Sequence, residues 1–186
     1  MKSIFYAVFI LAIANGVHSK CSEEGENVIK QCYTNFLKEV PLTVSPDSLA
    51  LGNLTSLTKE DDEKMEKAFA EKQKCIEGYE SDCLNIETFT HAFGATLNDT
   101  IVFLFLDFTF DYLIKAEPEV SKEDAKCFST FKIDGKCPLP KGCLGLNKYV
   151  DCAKDLLIKK CDNQKAAQVF RDALMDAFKK VFPTCE

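Results

Sequence analysis

The sequence predicts an all-α fold, a disulfide-stapled bundle of about six helices around a central apolar helix. Three observations predict it. Apolar residues recur every three or four positions along most of the chain, Gly and Pro collect in a few short stretches, and the cysteines number ten, an even set. The stretches are Pro41 to Gly52, the neighbourhood of Pro118, and Gly135 to Gly145 with Pro138 and Pro140, and they read as loops.

The chain opens with the three regions of a secretory leader. Lys2 supplies the positive start, Ile4 to Ala14 is apolar and uncharged, and Val17-His18-Ser19 places small residues for cleavage after Ser19. That run is short of the ~20 residues a membrane span needs, so the expectation is a signal peptide over 1–19 and a single cysteine-rich helical domain over 20–186 with no membrane span. Cleavage leaves 167 of 186 residues and removes one lysine, so 22 basic side chains face 29 acidic ones and the net charge moves from −6 to −7. An acidic chain without clustered Lys and Arg excludes nucleic acid as a partner, because phosphate neutralisation requires such clusters.

In the first helix, residues 24–39, Val28, Cys32, Phe36 and Val40 repeat at four-residue spacing while Ile29 and Leu37 widen the stripe. Thr58 and Asp61 resemble a capping box that opens a second helix, which carries Met65, Phe69 and Ile76 inward and frays near Gly78. A third continues the pattern through Ile86, Phe89, Phe93 and Leu97. Residues 100–114 satisfy both periods. As a strand they have one wholly apolar face; as a helix, Thr100, Asp107 and Asp111 align in a narrow polar stripe within about 40°. No other segment offers this one a strand partner, so it is read as the apolar helix at the centre of the bundle, its carboxylates as a solvated stripe. Ser121 and Asp124 open a short helix through Phe131, and Asn147 opens one with Val150, Ala153 and Leu157. Asp162 or Asn163 caps the last, which runs through Ala167, Phe170, Leu174, Phe178 and Val181.

All ten cysteines, Cys21, Cys32, Cys75, Cys83, Cys127, Cys137, Cys143, Cys152, Cys161 and Cys185, follow the leader and read as a disulfide framework made in an oxidising compartment. Ten allow about 945 pairings, nine times the 105 open to eight, so spacing does not fix connectivity. Cys21 and Cys32, like Cys75 and Cys83, would share one side of a continuous helix. Cys152 and Cys161, nine apart, would point to opposite sides, and so bond to different neighbours or flank a helix end. Two sequons, Asn53-Leu54-Thr55 and Asn98-Asp99-Thr100, are glycan sites in an exported chain.

Little else points to chemistry. One histidine, His91, survives cleavage, and no nucleophile or orienting carboxylate is marked beside it. No cysteine pair is closer than Cys137 and Cys143, so neither a zinc site nor a Cys-x-x-Cys redox pair is formed. The expectation is a chain that is not an enzyme and takes no cofactor. Thirteen of the 15 phenylalanines lie past the leader, and Phe103, Phe105, Phe108 and Phe110 crowd the central helix. They read first as core, and alternatively as the lining of a pocket for a fatty or sterol-like ligand.

From Cys21 to Cys32, and from Tyr149-Val150-Asp151-Cys152 through Lys159-Lys160-Cys161 to Cys185, the chain resembles the secreted, cysteine-rich helical proteins of nematodes grouped as domain of unknown function nineteen. The likeness takes in the layout of most of the mature chain: an early pair, a mid-chain pair at Cys75 and Cys83, and a C-terminal ladder from Cys127 to Cys161. It implies a helical, disulfide-stapled extracellular protein and, since that family has no assigned chemistry, carries over no site. The functional expectation is a secreted glycoprotein acting as an extracellular binding module, with another extracellular protein as partner. A carrier of a small apolar ligand is the alternative, and a secreted hydrolase with an unrecognised site is the third.

Overall fold

A computed structural model describes residues 21–40, 59–116, 127, 136–138, 143 and 145–184. The described residues form helices and no strand, and seven helices have both ends among them: α1 Glu23–Glu39, α2 Lys59–Cys75, α3 Glu80–Cys83, α4 Ile86–Phe93, α5 Leu97–Lys115, α6 Leu146–Cys161 and α7 Gln164–Val181. The leader, Thr58 of the capping box and the predicted helix from Ser121 lie outside the described residues, apart from Cys127, which is helical, while Asp61 falls in the first turn of α2. Contacts divide the chain into two compact units, one of Val17–Leu104 and one that takes in Phe105–Glu186.

In the N-terminal unit α1 packs against α2, α3 and α4. Ser22 starts α1 by accepting from Gly25 N–H, and Glu23, Glu24 and Glu26 sit where the helix dipole favours negative charge. The predicted stripe is buried at Ile29, Cys32, Phe36, Leu37 and Val40, with Tyr33 added and Val28 only half-buried. Tyr33 is the hub of an aromatic core: its ring meets Phe89 edge-on at 4.7 Å, Phe103 at 5.9 Å and Phe36 at 6.0 Å. Phe69 of α2 closes on Phe36 at 4.8 Å. Edge-to-face pairs add roughly 0.5–1.5 kcal/mol each beyond burial, so α1, α2, α4 and the first turns of α5 share one cohesive cluster.

The predicted third helix does not run to Leu97. Gly94 adopts φ 59 and ends α4, a left-handed conformation that costs glycine least, and Leu97 opens α5 instead. α2 likewise ends at Cys75, and Gly78 at φ 88 carries the chain into the short α3, which the periodicity did not foretell. Residues 100–114 are helical, within α5. Their polar stripe is not solvated: Thr100, Asp107 and Asp111 are only 0, 5 and 7 % exposed, whereas Val102, Leu106, Phe110 and Leu113 are half-exposed. Asp111 accepts a hydrogen bond from Lys115 Nζ at 2.7 Å, which offsets part of the cost of burying its charge.

In the C-terminal unit α6 and α7 form a helical hairpin. Asp162 at φ 52 caps the end of α6, its N–H donating to Ile158 O at 2.8 Å, and Asn163 caps α7 by accepting from Ala166 N–H at 3.0 Å. The two candidates for one cap thus divide two caps between them. Val150, Ala153 and Leu157 of α6 are buried, as are Ala166, Ala173, Leu174, Ala177 and Phe178 of α7, where alanines let the backbones approach closely. Arg171 Nε donates to Asp151 Oδ1 at 2.6 Å and locks the pair. The hydrogen bond to Asp151 raises the guanidinium pKa, outweighing the opposite effect of burial, and the Asp172 carboxylate adds to the rise.

Candidate functional site

The cysteines build the most defined chemical feature of the chain. Cys21 bonds to Cys83 and Cys32 to Cys75, one bridge nested inside the other, tying α1 to the ends of α3 and α2. Cys127 bonds to Cys161 and Cys137 to Cys152, again nested. Cys143 is also disulfide-bonded, and Cys185 lies outside the described residues. Cys152 and Cys161 face opposite sides of the continuous helix α6 and join different partners, one of the two arrangements their spacing of nine allows. No described cysteine is free, and thiols held as disulfides are neither nucleophiles nor metal ligands. Among the described residues no group of three or more His, Cys, Asp or Glu side chains is placed to hold a metal ion.

Of the two sequons, Asn53 lies outside the described residues. Asn98 sits half-buried in the first turn of α5. Thr96 caps that turn: its Oγ1 donates to Asp99 Oδ2 at 2.6 Å and accepts from Asp99 N–H at 3.2 Å. Thr100 is fully buried and accepts a hydrogen bond from Thr90 of α4 at 3.3 Å.

The four phenylalanines of α5 are not gathered on one side. At 100° per residue Phe103 and Phe110 share one face and Phe105 and Phe108 the opposite one. Phe103 is buried against Tyr33 and Phe89 in the N-terminal unit. In the C-terminal unit Phe105, half-buried, meets Phe178 at an interplanar angle of 55° with centroids 4.7 Å apart, and Phe108 is buried with Lys180 Nζ 5.4 Å above its ring.

His91 is exposed on α4 and its Nδ1 pairs with Glu26 Oε1 at 2.6 Å, bracing α4 against α1. Asp107 and Asp111 belong to the other unit. The sequence reading missed Lys72, which is 1 % exposed with its Nζ 4.3 Å from the Phe69 centroid, 4.9 Å from Phe36 and 5.2 Å from Tyr33. A signal was present: Lys72 continues the inward stripe of Met65, Phe69 and Ile76 at helical spacing.

Charge separates along the chain. Val17–Leu104 carries 8 basic and 16 acidic side chains, net −8, and Phe105–Glu186 carries 14 basic and 13 acidic, net +1. On the N-terminal unit Glu23, Glu24, Glu63, Glu66, Glu71 and Glu77 are exposed. Among the described residues no single helix is long and apolar enough to cross a membrane. Comparison with protein-family models, with curated proteins and with solved structures finds no match to this chain.

Proposed function

We propose that this chain is a secreted, glycosylated binding module whose acidic N-terminal unit engages an extracellular protein bearing a basic surface. The observation that carries the reading is the pairing of disulfide-braced helices with a net charge of −8 on that unit alone. Disulfides persist where the surroundings are oxidising, which supports export, and a one-signed unit speeds encounter with an oppositely charged partner. The resemblance to the secreted nematode helical proteins belongs to the same reading, as does the absence of catalysis. Packing of Phe103 on Tyr33 and Phe89 supports a core role over the lining of a carrier's pocket.

Mass spectrometry of what copurifies with the protein from its own source tests this. A basic protein released by raised salt is the expected outcome, since exposed charge pairs are screened over about 8 Å at physiological ionic strength. A bound fatty acid or sterol would replace the binding module by the carrier.

A further inference from the structure

We propose that the Asn98 sequon accepts a glycan only before the chain folds, so that formation of α5 and glycan transfer compete for the same three residues. The inference rests on the export reading above. In the transfer, Asn98 Nδ2 forms a bond to the anomeric carbon of an oligosaccharide carried on a lipid diphosphate. The bond from that carbon to the diphosphate oxygen breaks, the diphosphate leaves with the electron pair, and Nδ2 gives up a proton.

The transferase must hold the Asn amide and the Thr hydroxyl two residues later in one site. Extended backbone puts residues i and i+2 on the same side; a helix turns them about 200° apart. Asn98 and Thr100 both lie inside α5, which begins at Leu97. The hydroxyl is out of reach as well, for Thr100 is fully buried and bonded to Thr90 Oγ1 at 3.3 Å. Its N–H already donates to Thr96 O at 2.9 Å, and Asp99, the middle residue, is held by the Thr96 cap at 2.6 and 3.2 Å. Presenting this tripeptide to an enzyme therefore requires undoing the first turn of α5 and its contact with α4. Such an opening is a rare event in the folded chain and the ordinary state of the unfolded one.

The test uses full-length unglycosylated protein, purified oligosaccharyltransferase and its lipid-linked donor, with occupancy at Asn98 read by peptide mass spectrometry. One sample is folded with its disulfides formed; the other is reduced and alkylated, with its loss of helix confirmed by circular dichroism in the same buffer. Modification of the alkylated chain at least about tenfold faster than of the folded one is expected. Equal rates, or no modification of the alkylated chain at Asn98, would overturn the proposal. In secreting cells, Thr96→Ala loosens the start of α5 and leaves the sequon intact, so the glycosylated fraction at Asn98 should rise. An unchanged fraction would count against the competition. Release into the medium reports export: a chain retained in the cytosol refutes that reading, while the comparison of purified samples still decides the order of events.

Discussion

Gly25 lies directly beneath the sulfur of Cys83. A Cβ at position 25 would stand 2.6 Å from Cys83 Sγ, 3.1 Å from Cys21 Sγ and 3.0 Å from the Tyr79 ring, so the first turn of α1 can pass the Cys21–Cys83 bridge only without a side chain. Alanine in a helix ordinarily stabilises by up to about 1 kcal/mol relative to glycine. Here the clash is with a bonded sulfur that cannot swing aside, and overpacking of this kind costs about 1–3 kcal/mol. Gly25→Ala is therefore expected to destabilise the intact protein and to be neutral or favourable once Cys21 and Cys83 are both alanine. Denaturant midpoints of the four proteins in this cycle measure the coupling. Equal effects in both backgrounds would remove the bridge as the cause.

Lys72 is enclosed by Tyr33, Phe36 and Phe69, with its ammonium over their ring faces. An acetylating reagent on the native protein should modify the exposed Lys30, Lys64, Lys67 and Lys74 readily, and Lys72 at least about tenfold more slowly, because its reaction waits on opening of the α1–α2 contact. Site-resolved mass spectrometry gives the rates. Labelling of Lys72 as fast as its neighbour Lys67 would contradict its enclosure.

The helices with a clean apolar stripe were legible from sequence. α1 and α7 run where their periodicity places them, and Asn163 is a cap for the reason its residue type suggests: a short side-chain oxygen accepts from a freed N–H. The end of α4 was harder, because the spacing of Ile86, Phe89, Phe93 and Leu97 stays helical across a break that only the left-handed conformation of Gly94 reveals. The direction of α5 was not legible at all. A helix apolar on nearly every side has no moment to orient it, and the residues that look most suited to water, Asp107 and Asp111, are buried. Pairing of the cysteines is set by which helices meet, which is information no single helix carries. A partial exception is Cys152 and Cys161, whose spacing of nine allows different partners or a helix end between them, and the unbroken α6 selects the first.

Tyr149 gives the fold an alkaline limit. Burial disfavours the phenolate and raises its pKa above the usual value near 10. The folded chain thus keeps a proton that the unfolded chain loses. This contribution is fully present below about pH 10 and is lost as pH rises through the higher folded value. Urea midpoints of the protein and of Tyr149→Phe, followed from pH 8 to 11, should stay a constant distance apart up to about pH 10 and then shift in favour of the variant. Curves that remain parallel throughout would mean that the ring titrates alike in both states.

The phenylalanines of α5 decide between core and carrier. Phe103 is 4 % exposed between Tyr33 and Phe89, with centroids at 5.9 and 6.0 Å, and Phe108 is 5 % exposed. Replacing either by Ala removes a ring that neighbours already touch and leaves a hole they cannot fill, which costs about 3–5 kcal/mol. Phe105 keeps part of its ring in solvent and contacts Phe178 at 4.7 Å, so its replacement should cost less, roughly 1–2 kcal/mol. A ring lining an open ligand chamber behaves differently: its loss adds little new empty volume to the unliganded protein and shows instead as weaker uptake of ligand. Measuring unfolding free energies of the three variants beside titrations with a fluorescent fatty acid separates the two. The expected pattern is the order Phe103 and Phe108 above Phe105 in stability cost, with no saturable probe binding to the parent protein. Tight probe binding that Phe103→Ala or Phe108→Ala abolishes at little cost in stability would make this chain a carrier of apolar molecules.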